Sequence, residues 1–188
     1  MAWAECQKQV TGFSGAEFKS FSTMEEAQAF AGVSAEGIPD TLPRAEKPAS
    51  DQVIAYVDGS YRSDTGEFSY GMVILKDGEE HTFCEKMTDK ELALMHNVAG
   101  EIKGSEAAMQ YAVDHNIPEI TIYHDYEGIA KWCTGAWKAT KPGTIAYQAF
   151  YREAMKKVKV HFVKVKGHSN DKYNDMADQL AKKALGIL

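Results

Sequence analysis

Four carboxylates stand in local contexts that folding can gather around a cation. Asp58 follows the apolar run of VIAYVDGS, Glu101 lies in NVAGEIKGSEAAM, Asp125 ends the run of ITIYHDYEGI, and Asp178 lies in GHSNDKYNDMADQLAKKA. Taken singly each has an ordinary explanation, since Asp-Gly-Ser is a common turn and Asp125 could cap a following helix. Taken together they define a different chemistry. Carboxylates brought within a few ångströms repel one another and favour protonation unless a cation neutralises them. An all-oxygen ligand set suits Mg²⁺ or Mn²⁺ rather than Zn²⁺, which prefers His or Cys among its ligands. Two such ions about 4 Å apart can clamp a phosphate and stabilise both the attacking and the leaving oxygen.

Those four residues need elements that bring them together. Residues 53–57 form a continuous apolar run, as for a strand buried on both faces. Residues 68–75 and 79–87, joined through Asp77-Gly78, read as a hairpin with a tight turn. From 98 to 115 the apolar residues Val98, Ile102, Ala108, Met109, Ala112 and Val113 recur at helical spacing. A short strand at 120–123, helices at 126–133 and 144–157, a strand at 158–165 and an amphipathic helix at 172–185 complete the chain. The order βββαβααβα predicts an α/β domain with a mixed five-stranded sheet, antiparallel at its start and parallel afterwards, and helices on both faces. Asp58 and Asp125 then follow strand ends that open onto one crevice.

The order, contexts and spacing of the four carboxylates, with the Lys166-Gly167-His168 loop, resemble type 1 ribonuclease H over residues 52–185. The resemblance implies the ribonuclease H-like fold and an endonuclease that cuts the RNA strand of RNA–DNA hybrids. It implies Asp58, Glu101, Asp125 and Asp178 as ligands of two Mg²⁺ ions, with Mn²⁺ as a substitute, and products with 5′-phosphate and 3′-hydroxyl ends. Asp178 is preferred to Asp175 because ADQLA fits the family's D-x-L-A pattern. His168 matches a loop histidine that assists proton transfer or product departure, a role suited to its near-neutral pKa. Asn97 matches a minor-groove contact, its alternative role being a buried helix cap, and Ser60 belongs with it on the substrate side. Val98 stands where many members carry a second amide. A junction-resolving or integrase-like nuclease, or a hybrid-binding protein with a dead site, would fit parts of this pattern. All four carboxylates in this order favour the hybrid-specific enzyme.

The formal net charge of -6 hides a segregated distribution. Residues 131–167 hold nine basic side chains, Lys138, Lys141 and Lys166 among them, against the single acidic Glu153. These are the candidates for gripping phosphates of a nucleic-acid partner. The stretch is short between Trp132 and Tyr147, where family members with a basic protrusion carry an additional helix.

Residues 43–50, with Pro43 and Pro48 and no hydrophobic periodicity, read as a linker between a front part at 1–42 and the catalytic domain at 51–188. The front part resembles the hybrid-binding domain found ahead of many ribonucleases H, with Trp3, Phe18 and Lys19 at matching positions. Glu17 and Ser20 replace basic residues, and the expected opening strand is missing. Lys8 and Lys19 stand against Glu5, Glu17, Glu25, Glu26, Glu36 and Asp40, a balance that opposes phosphate binding. A small α+β module, truncated or degenerate, is the expectation. Cys6, Cys84 and Cys133 lack metal-ligand spacing and read as buried or partly buried free thiols. With no apolar run long enough to span a bilayer and no basic-then-apolar leader, a cytoplasmic monomer without membrane contact is expected.

Overall fold

A computed structural model describes residues 52–166 and 171–187 of the chain. Five strands form one sheet in the order β3-β2-β1-β4-β5: β1 (Val53–Arg62), β2 (Glu67–Lys76), β3 (Glu79–Met87), β4 (Glu119–His124) and β5 (Lys159–Lys164). β1, β2 and β3 run antiparallel, and β4 and β5 run parallel to β1, as the element order predicts. The β2–β3 turn places Asp77 and Gly78 at φ 53° and 80°, the positive pair that a two-residue hairpin requires.

Four α-helices pack on the sheet: α1 (Asn97–Asp114), α2 (Gly128–Thr134), α3 (Pro142–Ala154) and α4 (Lys172–Ala184). Alternation along the strands sorts the core into two sides. Val53, Ala55 and Val57 of β1 join Tyr70, Met72 and Ile74 of β2 beneath Ile102, Met109 and Ala112 of α1, with Ile129 and Tyr147 from α2 and α3. Ile54, Tyr56, Val73 and Leu75 face the other way and meet Ala177, with Tyr173, Met176 and Leu180 of α4 packed around them. Burial on both faces explains why β1 and β2 read as unbroken apolar runs, while β3, at the sheet edge, is exposed over most of its length.

Two departures from the expected elements matter to the site. β1 does not stop at residue 57 but continues along β2 to Arg62, so Asp58 lies inside a strand. A 3₁₀ turn, Leu92–Met95, and His96 at φ 53° then deliver the chain into α1. Cys133 is buried as expected, whereas Cys84 is exposed on β3.

Glycine contacts set the depth of packing. A Cβ on Gly59 would lie 2.1 Å from the Asn97 carbonyl oxygen and 2.5 Å from Glu101 N. One on Gly100 would lie 2.0 Å from the Ser69 carbonyl oxygen. On the opposite face, a Cβ on Gly71 would lie 2.0 Å from the Ala177 carbonyl oxygen and 2.7 Å from Ala181 N, and Ser69 Oγ donates to the Ala181 carbonyl at 2.6 Å. Helix backbone thus rests directly on strand backbone. Gly71→Ala is expected to force α4 off the sheet and lower stability by about 1–3 kcal/mol, the usual penalty of overpacking. A shift of the urea midpoint checks this, and an unchanged midpoint would mean that the helix can yield at no energetic cost.

Candidate active site

The sheet topology creates the crevice. β4 pairs with β1 only from Val53↔Ile120 to Tyr56↔Tyr123, after which β4 ends and β1 runs on beside β2 alone. Asp58 is two residues beyond Tyr56, and Asp125 is two beyond Tyr123, so the parallel register carries both to the same level of the opening. The Gly59–Gly100 contact then sets the first turn of α1 against β1, and Glu101 enters from that side. The oxygens of Asp58, Glu101 and Asp125 come within 4.8 Å of one another.

Asp178 arrives from the other face. Gly71 is the cross-strand partner of Asp58, and its missing side chain admits the α4 backbone at Ala177, the residue before Asp178. Asp178 lines an open cleft of about 450 Å³ with Asp58, Gly59, Ser60, Tyr61, His96, Asn97, Asp125 and Lys182. It stands outside the tight group of three, held by Lys182 Nζ at 2.6 Å. Asp175 lies in the first turn of α4, whose N-cap Asp171 accepts from Tyr173 N and Asn174 N. That position favours a carboxylate through the helix dipole.

Burial and mutual repulsion dominate the electrostatics. Desolvation, then the nearby Asp125 carboxylate, push the Asp58 carboxyl from the ordinary 3.8 up to about 7. The same two causes, with Asp58 adding to them, push Glu101 from 4.5 up to about 9. Opposing hydrogen bonds are few: Gly59 N donates to Asp58 Oδ1 at 2.7 Å and Tyr126 N to Glu101 Oε2 at 3.2 Å. Among the described residues the positive charge that acts on Asp58 is Lys182, and its effect is smaller than those of burial and Asp125. A buried oxygen-only cluster short of positive charge is what a hard divalent cation satisfies, and these residues form an acidic metal-binding cluster.

The remaining candidates fall around this centre. Ser60 is buried at the cleft wall, and Asn97 is exposed at its rim, which removes the buried-cap alternative. Lys138, Lys141 and Lys166 are all exposed, and Lys141 lies at the start of α3 beside a second depression lined by Tyr126, Trp132 and Thr144. His168, Trp3, Phe18 and Lys19 lie outside the described residues. Sequence reasoning missed Lys182, although its position four residues after Asp178 is the spacing at which helical side chains meet. It also missed the stack of Tyr61 on His96 at 4.6 Å, for which the sequence holds no local signal.

The raised carboxylates fix the direction of a pH effect. Both groups bind protons more tightly when folded, so their contribution favours the folded state below about pH 4 and is lost as pH rises through about 7 and then about 9. Metal-free protein is therefore expected to lose stability across that window. Glu101→Gln should raise metal-free stability at pH 8 by on the order of 2 kcal/mol and flatten the slope. Thermal unfolding from pH 5 to 9, with and without a divalent cation, checks both, and the cation should stabilise the unsubstituted protein chiefly above pH 7.

Comparison with known proteins agrees with this geometry. The family described as RNase H matches residues 50–186, and the one described as Ribonuclease H1 N-terminal domain matches residues 1–31. A ribonuclease H of Caldicellulosiruptor saccharolyticus is 26% identical over 137 residues, covering 70% of this chain and 94% of that protein. The crystal structure of RNase H1 from Halobacterium salinarum NRC-1 superposes with a TM-score of 0.61 at 25% identity, over 73% of this chain and 99% of that one. LC11-RNase H1, solved in complex with an RNA/DNA hybrid, shares the fold at a TM-score of 0.54 and 20% identity, over 71% of this chain and 99% of that one. Since the first match spans most of the chain and includes every strand and helix that builds the carboxylate cluster, the chain belongs to the RNase H family and is a ribonuclease H.

Proposed function

We propose that this chain is an endoribonuclease that hydrolyses the RNA strand of RNA–DNA hybrids with two Mg²⁺ ions, Mn²⁺ being able to replace them. The observation that carries the reading is the convergence of Asp58, Glu101 and Asp125 oxygens within 4.8 Å, with Asp58 and Glu101 buried. Asp178 completes the ligand set from the facing wall of the cleft. When bound, the cations would stabilise the attacking water and the departing oxygen of the scissile phosphate. Hydrolysis adds water across the P–O3′ bond: the water oxygen stays on the 5′-phosphate, and the 3′ oxygen leaves and takes up a proton.

Strand choice requires groups that sense 2′-hydroxyls across a shallow minor groove. Asn97 and Ser60, at the rim and wall of the cleft, are positioned to do so. Lys138, Lys141 and Lys166 contact phosphates without selecting a sugar. His168 assists proton transfer or product departure. We read residues 1–42 as a weak hybrid-binding remnant carrying Trp3, Phe18 and Lys19, residues 43–50 as a linker, and 51–188 as the catalytic domain, acting as a cytoplasmic monomer. Across the described helices, none is long and apolar enough to cross a membrane.

The deciding assay offers a labelled RNA–DNA hybrid beside duplex DNA, duplex RNA and single-stranded RNA, with and without Mg²⁺. Only the RNA of the hybrid should be cut, and efficient cutting of duplex DNA would replace this reading with a resolvase-like one. Asp125→Asn should abolish turnover while hybrid binding persists. His168→Ala should slow the reaction without ending it. Asn97→Ala should lower hybrid cleavage at fixed salt and leave the salt dependence of binding unchanged, because that slope reports phosphate contacts alone.

A further inference from the structure

His124 is the last residue of β4, immediately before Asp125, and it is only 1% exposed. Its Nδ1 lies 2.9 Å from the Tyr126 carbonyl oxygen. A carbonyl only accepts, so Nδ1 carries the proton and Nε2 is bare. That bare nitrogen has no hydrogen-bond partner among the described residues, and the ring meets Phe162 edge-on at 5.9 Å. An orphaned buried lone pair is unfavourable, and a phenylalanine of similar shape would avoid it. What the histidine offers in exchange is the donor at Nδ1.

That donor fastens the corner on which two of the ligands depend. The Tyr126 carbonyl receives His124 Nδ1 and also Ile129 N at 3.1 Å, which ties the corner to the start of α2. The Tyr126 amide points the other way and donates to Glu101 Oε2 at 3.2 Å. The His124 carbonyl accepts from Val165 N at 2.9 Å, which anchors the corner to the chain just past β5. Asp125 sits at the apex of this fastened turn. One residue, Tyr126, therefore links the buried imidazole through its carbonyl to a Glu101 oxygen through its N–H.

We propose that His124 is a positioning residue for the metal centre: its Nδ1–H orients the Asp125–Tyr126 turn so that Asp125 and Glu101 present their oxygens at the spacing a divalent cation needs. The inference rests on reading the cluster as the hydrolytic metal site. In this role His124 acts through Asp125 and Glu101 and is not itself one of the clustered ligands.

Amide substitutions separate this role from mere core filling. Asparagine places an N–H donor where Nδ1 stands, glutamine places one nearer Nε2, and phenylalanine offers none. Mg²⁺ binding to the full chain is measured by calorimetry without hybrid, and kcat and KM are then followed against Mg²⁺ concentration. His124→Phe and His124→Gln should bind Mg²⁺ at least about tenfold more weakly, as when a group that orients a ligand is lost. Their KM for hybrid at saturating Mg²⁺ should stay within about twofold, and the metal needed for half-maximal kcat should rise with the binding constant. His124→Asn should retain Mg²⁺ affinity within about threefold. Unchanged affinity in the Phe or Gln variant, or a loss in Asn equal to theirs, overturns the proposal. Should His124→Phe fail to fold, the Asn and Gln pair decides alone, and failure of both to fold makes His124 a core residue only. An unsubstituted chain that binds Mg²⁺ but leaves hybrid uncut would sink the proposed function while leaving this comparison readable.

Discussion

The site depends on direct contact between helix backbone and strand backbone at three glycines. Gly59 and Gly100 let the first turn of α1 lie on β1 and β2, and Gly71 lets α4 lie on β2 from the other face. Ordinary helix-on-sheet packing keeps a layer of side chains between the elements, which would hold Glu101 and Asp178 well back from Asp58. Removing that layer on both faces at the same level of the sheet brings one carboxylate in from each side. The glycines are neighbours, in sequence or across the strand pair, of the residues they position: Gly59 follows Asp58, Gly100 precedes Glu101, and Gly71 faces Asp58.

Such closeness conflicts with electrostatics, and the fold absorbs the conflict. Asp58 and Glu101 are buried beside Asp125, so in the absence of cations the cluster opposes folding near neutral pH. The two apolar cores beneath α1 and α4 supply the stabilisation that holds the carboxylates together. A cation then finds its ligands already ordered, and most of the organisation has been done by the chain in advance of binding. Lys182 offers partial relief on the α4 side, since its ion pair with Asp178 places a positive charge at the mouth of an otherwise acidic cleft.

The acidic centre and the basic stretch are complementary in a reaction on a polyanion. An acidic cleft repels phosphate until cations neutralise it, whereas Lys138, Lys141 and Lys166 present exposed positive charge. Tyr126 and Trp132 meet Trp137 in an aromatic group, with Lys131 Nζ 4.9 Å from the Trp137 ring centre. Tyr126 belongs to that group through its ring and to the metal centre through its amide, so the surface and the site share one residue.

Element order, the hairpin turn, the amphipathic faces of α1 and α4, and the three carboxylates that gather, Asp58, Glu101 and Asp125, were legible in the sequence. Each is encoded locally, in a period, a turn dipeptide or a short context around one residue. The length of β1 was not, because residues 58–62 are held in the strand by pairing with β2 rather than by their own apolarity. The close group of Asp58, Glu101 and Asp125, with Asp178 standing apart on Lys182, also depends on side-chain distances that no spacing in the chain encodes. The same holds for His124, which in the sequence is one polar residue at a strand end. Its hydrogen bond acquires meaning only when the Tyr126 amide reaches a carboxylate 25 residues away along the chain. Residue types determine which chemistry is available, because a carboxylate or an imidazole carries its own donors and acceptors. Tertiary packing decides which of them act together, because interactions across a few ångströms depend on separation in space and not on separation along the chain.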